Sequence, residues 1–167
     1  MDVRIYKTAF IIMGAIIINS CSKQDIDPLL DNRPAVPVSI TNAMEFRPDP
    51  TVTTSLAAGG KIVVTLSIPA SGGRTIKEIT RIAASTSYTK IQSGGSTGYY
   101  ENAPITVNGT TYTYNTTVTD YFARFPVSNS NPAAKANSEL SLRFYFLVTL
   151  DDNSQVVTMP VRILVLA

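Results

Sequence analysis

Residues 139–150 read ELSLRFYFLVTL and decide the fold class. Leu140, Leu142, Phe144, Phe146, Val148 and Leu150 fall on alternate positions, the period of a strand with one buried face. Next to this run, Asp151-Asp152-Asn153-Ser154 is a turn signal, and Val156 to Leu166 follows as a nearly continuous apolar stretch broken by Thr158, Pro160 and Arg162. The pair predicts a β-hairpin, with Pro160 at an edge or a bulge because proline cannot donate to a ladder.

The same period recurs upstream. Lys61 to Ile68 sets Ile62, Val64, Leu66 and Ile68 against Lys61, Val63, Thr65 and Ser67. Thr110 to Val118 sets Tyr112, Tyr114, Thr116 and Val118 against Thr111, Thr113, Asn115 and Thr117. Between this run and Ile105-Thr106-Val107 lies Asn108-Gly109, the dipeptide that suits a two-residue hairpin turn. Thr75 to Ala84 spaces Ile76, Ile79 and Ile82 three apart. That spacing suits a helix, while the Ile and Thr content and flanking glycines favour a strand. Asp120 to Phe125 reads as one short helical turn. Gly59-Gly60, Ser71-Gly72-Gly73 and Gly94-Gly95 mark loops, and Ser128 to Pro132 a longer connection. About seven short strands separated by such turns predict an all-β protein with a single immunoglobulin-like β-sandwich over residues 38–167. With no Trp and one Cys, the likeness is one of architecture and not of the Cys-Trp-Cys signature.

The chain has 167 residues and a formal net charge of +2. Without a basic run it offers no electrostatic footprint for nucleic acid. It contains no His, which removes the commonest general base and the commonest metal ligand. The lone Cys cannot close an internal disulfide, so packing and strand pairing must hold the fold.

The N-terminus reads as an export signal. Residues 1–8 carry Arg4 and Lys7, residues 9–18 read AFIIMGAIII, and Asn19-Ser20-Cys21 follows. A basic start, a short apolar core and small or polar residues are the layout of a secretory signal. At ~1.5 Å per residue the apolar run spans roughly 15 Å, half of the ~30 Å hydrocarbon layer. The tetrad Ile18-Asn19-Ser20-Cys21 resembles the bacterial lipobox, with Asn19 departing from the usual small apolar choice. That resemblance implies cleavage before Cys21 and a lipid thioether on its sulfur, the most nucleophilic ordinary side-chain atom. Two or more acyl chains anchor a protein stably. Residues 1–20 are then the signal peptide. Residues 21–37 form a flexible tether, acidic at Asp25, Asp27 and Asp31 and broken by Pro28, Pro34 and Pro37. Ser22-Lys23-Gln24-Asp25 resembles the export tag of small surface lipoproteins in bacteria with starch-utilisation-type systems. That resemblance implies an outer-membrane location, on the cell surface in those systems.

No catalytic set stands out. Without His neither a Ser-His-Asp nor a Cys-His arrangement can form, and the carboxylates are scattered. Asp151-Asp152-Asn153 reads as a hairpin turn, since it lacks the glycine and terminal Glu of a calcium loop. No metal or cofactor is expected. Sugar rings stack on flat aromatic faces, and Tyr99-Tyr100 follows the Gly-rich segment 94–98. Tyr99 and Tyr100 are therefore the candidate ligand contacts, with Tyr121 beside Phe122 second. The opposing reading packs these rings at a sandwich edge with their hydroxyls in water. The expected function is that of a non-catalytic, lipid-anchored envelope protein. It would serve as a binding or accessory module of an outer-membrane complex, touching polysaccharide or envelope proteins. The alternative is a structural or adhesion protein acting through a strand edge.

Overall fold

A computed structural model of the protein describes residues 34–46, 48–95 and 97–167. The expected signal peptide, the lipobox-like tetrad ending at Cys21 and the expected tether up to residue 33 lie outside the described residues. Residues Ala35–Ala167 form one compact unit. Val36 and Val38 already pack against the core, so the end of the expected tether belongs to the folded unit.

The unit is an all-β sandwich. Its strands are β1 (Ser39–Ile40), β2 (Thr51–Ser55), β3 (Lys61–Ser67), β4 (Ile76–Ser85), β5 (Ile105–Gly109), β6 (Thr111–Thr117), β7 (Ser138–Glu139), β8 (Arg143–Leu150), β9 (Gln155–Val157) and β10 (Arg162–Leu166). Among the described residues two short α-helices interrupt them, α1 (Thr89–Gln92) and α2 (Val118–Arg124), besides a 3-10 turn at Ala70–Gly72. One sheet has the order β1-β3-β6, a second β5-β4-β8-β9 and a third β2-β10-β7. Inner-face residues of all three meet in one core, including Val52, Ile62, Leu66, Ile79, Phe144, Phe146 and Ile163.

The alternation in β3 does what it predicts. Ile62, Val64 and Leu66 are buried, and β3 pairs with β6 without interruption from Lys61↔Thr117 to Ser67↔Thr111. β4 is a strand despite its three-residue spacing. Its register with β8 shifts between Ile76 and Glu78 and again between Ile79 and Arg81. Each bulge inserts one extra residue, so Ile76, Ile79 and Ile82 come to face Leu150, Val148 and Phe146 from the same side. All three isoleucines are buried.

β8 is buried on both faces. Phe144, Phe146, Val148 and Leu150 enter the main core. Tyr145 turns outward into a second cluster with Ala83, Ile91 and Tyr99. Ile91 belongs to α1, so the segment between β4 and β5 covers the outer face of this sheet.

Several expectations are corrected. The run 139–150 is two strands, β7 and β8: the Leu140 N–H still donates to the Ile163 carbonyl of β10 at 3.0 Å, and the chain then bends at Ser141 and Leu142 to join β4 from Arg143 on. The run 156–166 splits around Pro160. β9 pairs antiparallel with β8, whereas β10 lies parallel to β2 and antiparallel to β7. Asn108-Gly109 closes no hairpin: β5 pairs with β4 and β6 with β3. Asn108 adopts a φ of 52°, and the left-handed residue turns the chain from one sheet to another. Val118 opens α2 instead of ending β6. Thr117 caps that helix, its Oγ1 accepting from the Asp120 N–H at 3.0 Å. The Asp151–Ser154 hairpin forms as expected, with Asn153 at a φ of 65° and the Leu150 N–H donating to the Ser154 carbonyl at 2.9 Å.

Candidate functional site

The Tyr99-Tyr100 pair lies beside β4 at a bend of the chain, where the Tyr100 and Glu101 N–H groups both donate to the Ile82 carbonyl, at 2.8 and 3.0 Å. The two rings part company, one on each side of the sheet. Tyr100 turns into the main core and is 1% exposed; Tyr99 turns to the outer cluster and is 8% exposed. Tyr121, on the buried side of α2, is 0% exposed. All three rings are buried, which corrects the expectation that they stand exposed; of the three, Tyr100 lines a polar cleft.

Their partners account for this burial. The Tyr100 ring stacks on Phe125 at 6.2 Å and meets Phe144 edge-on at 4.9 Å. Its hydroxyl is 2.5 Å from Thr116 Oγ1. The Arg124 guanidinium covers the ring at 5.0 Å. Tyr99 lies between two cations, Lys90 Nζ at 4.7 Å and the Arg81 guanidinium at 5.2 Å from its centroid. The Tyr121 hydroxyl donates to Asn131 Oδ1 at 2.8 Å and accepts from the Leu142 N–H at 3.2 Å. Burial pushes the phenols of Tyr100, Tyr114 and Tyr121 upward.

What the strands build instead is a polar cleft of about 500 Å³ on the side where β6 ends one sheet and β5 ends another. Glu101, Asp120 and Arg124 supply its charges, and Asn115, Thr116 and Tyr114 its neutral polar groups. Arg124 Nη2 donates to Glu101 Oε1 at 2.9 Å, linking α2 to the edge of the second sheet. The Asp120 carboxylate accepts from the Thr117 hydroxyl at 2.7 Å.

Beside the cleft runs the free edge of β6. It has β3 on one side and, among the described residues, no strand on the other. The remaining sheet edges are blunted. β1 and β7 have two residues each and β9 has three. β2 follows Pro48 and Pro50, and β5 follows Pro104 and carries a register shift. β6 is seven residues long, TYTYNTT, with neither a charge nor a proline, and lacks the devices that usually discourage strand addition. The composition of β6 was readable in the sequence; that it would be an edge was not.

The Asp151-Asp152 turn is occupied by protein. Arg74 Nε donates to Asp151 at 2.7 Å and Arg74 Nη2 lies 2.5 Å from Asp152 Oδ2. Hydrogen bonds from Ser154, and then from Arg74, hold the Asp152 carboxyl well below its ordinary value, at about 2. Among the described residues no cluster of three or more Cys, Asp or Glu side chains is arranged to hold a metal ion, and no helix is long and apolar enough to cross a membrane. Comparison with protein-family models, with characterised proteins and with solved structures finds no match to this chain.

Proposed function

We propose that the protein is a non-catalytic, lipid-anchored component of the cell envelope, held through Cys21 at the outer membrane. It acts there as a binding or accessory module of a larger complex. Its working surface is the β6 side of the sandwich. The observation that carries the reading is the uncharged, unbulged edge of β6, which supports attachment of an extended segment by main-chain hydrogen bonds. The resemblance of residues 18–21 to a lipobox supports the anchor.

Two substitutions test this. Cys21→Ser is expected to move the protein from the membrane fraction to the soluble fraction and to abolish acyl labelling; retention of either property refutes the anchor. Thr113→Lys with Asn115→Lys adds charge to exposed edge positions. It is expected to abolish co-purification of partners from detergent-solubilised envelopes while leaving the protein at the membrane. Unchanged co-purification refutes the edge.

The cleft favours a second reading. Glu101, Asp120, Arg124 and Asn115 converge on one opening, a donor and acceptor set that suits a hydroxyl-rich saccharide. Retardation in native gels containing one polysaccharide, lost in Arg124→Ala, would establish it; no retardation with any polymer would remove it.

A further inference from the structure

We propose that β6 joins two copies of this chain edge to edge, antiparallel and related by a two-fold axis at Tyr114. The inference rests on the strand-edge reading above and names the partner. The first argument is self-complementarity. A two-fold contact presents the same patch from both sides, so every cross-strand pair must tolerate its own reversed sequence. About Tyr114, Thr113 faces the partner's Asn115 and Thr111 faces the partner's Thr117. These are hydroxyl–amide and hydroxyl–hydroxyl pairs, which stabilise antiparallel strands.

The second argument is charge. The charges nearest to β6 both meet it at Thr117: Lys61 pairs with that residue, and the Asp120 carboxylate accepts from its hydroxyl at 2.7 Å. In the joined sheet the row from Lys61 continues through Thr117 to the partner's Thr111 and the partner's Ser67. No like charges meet. A foreign segment chosen by charge would find nothing on β6 to read.

The third argument is shape. The β3–β6 register is unbroken over seven pairs. Thr65 Oγ1 and Thr113 Oγ1 lie 3.3 Å apart, and Ser67 Oγ and Thr111 Oγ1 3.4 Å apart. The joined sheet thus extends a regular hydroxyl face. One seven-residue edge is a small contact beside the ~800 Å² per partner of a stable complex. Pairing therefore depends on two copies sharing one membrane, where tethering raises their effective concentration.

The test uses the full chain in its own membrane. Two differently tagged copies are co-expressed, one Thr113→Cys and the other Asn115→Cys. Both positions are exposed, so neither change touches the core. Directly opposed residues have Cβ atoms ~4.5–5.5 Å apart, within small adjustment of disulfide geometry. After mild oxidation the mixture is expected to give a reducible dimer carrying both tags, with about tenfold less from either variant alone. The parent chain beside them controls for Cys21. Equal yields from mixture and single variants, or no mixed dimer, overturn the proposal. A photoreactive cross-linker on the Thr113→Cys thiol then separates the two failures. If it captures a different polypeptide, self-pairing falls and the strand-edge reading stands. If it captures nothing, both fall.

Discussion

Tyr121 and Asn131 show how much one buried hydroxyl can organise. Asn131 is 6% exposed. Its Oδ1 accepts a hydrogen bond from the Tyr121 hydroxyl, and its Nδ2 donates to the Phe125 carbonyl at 2.7 Å. This fastens the connection after α2 to the helix itself. Tyr121→Phe keeps the ring but strands the Asn131 oxygen and the Leu142 N–H, at a cost of about 1–3 kcal/mol. Urea denaturation should show that loss with an unchanged slope; a loss below about 0.5 kcal/mol would mean that water replaces the hydroxyl. Tyr100→Ala should likewise cost about 3–5 kcal/mol, the cost of emptying an aromatic site in a core. The sequence nominated Tyr99 and Tyr100 for contact with a ligand because they follow a glycine-rich segment, and Tyr121 because it stands beside Phe122. Their burial depends on α2 folding inward and on residues 100–101 pairing with Ile82. Both are long-range facts that no local pattern carries.

At the scale of elements, β4 separates what periodicity can tell from what it cannot. A regular strand would put Ile79 opposite in facing to Ile76 and Ile82, and the two bulges return it to the same side. Ile76→Ala, Ile79→Ala and Ile82→Ala should therefore each cost about 2–5 kcal/mol, with exposed Lys77→Ala within about 0.5 kcal/mol of neutral. A mild Ile79→Ala, measured by thermal or urea unfolding, would contradict the bulged register. β3, β6 and the Asp151–Ser154 hairpin were legible because one inward face and one local turn define them, and β8 was legible by its inward row, although its outer face is buried as well. The Asn108-Gly109 corner was not, since a left-handed residue serves a hairpin and a sheet-to-sheet crossing equally well. The hairpin also predicts a pH effect. The Asp152 carboxyl ionises at about 2 in the folded protein against an ordinary value of 3.8. The folded state therefore holds the charged form more firmly than the unfolded chain. The stability it contributes is fully present above about pH 4 and is lost as pH falls towards 2. Asp152→Asn should flatten the stability profile across that window; an unchanged slope would show that the hydrogen bonds from Ser154 and Arg74 add nothing in solution.

At the scale of the whole molecule, the core is unusual in what fills it. With no Trp or His, tyrosine supplies much of the interior, and Tyr100, Tyr114, Tyr121 and Tyr145 are all buried. Burial is the largest influence on each of these phenols and pushes each above its ordinary value of 10.0. A phenol removed from water resists becoming a phenolate. As pH rises past about 10, the unfolded chain can release these protons and the folded one cannot. The stability tied to the neutral rings is therefore intact below that pH and falls above it. Because one core holds Tyr100, Tyr114 and Tyr121, they should ionise together as the sandwich opens. Raising the pH should give a steep rise in tyrosinate absorbance coincident with loss of the far-ultraviolet β signal. Tyr114→Phe should move that transition to higher pH, since one fewer proton is released on unfolding. A gradual titration with the β signal intact would show that water reaches the rings in the folded protein, most directly through the cleft that Tyr100 and Tyr114 line. That outcome would also mean that the cleft is deep enough to admit a ligand to its tyrosine floor.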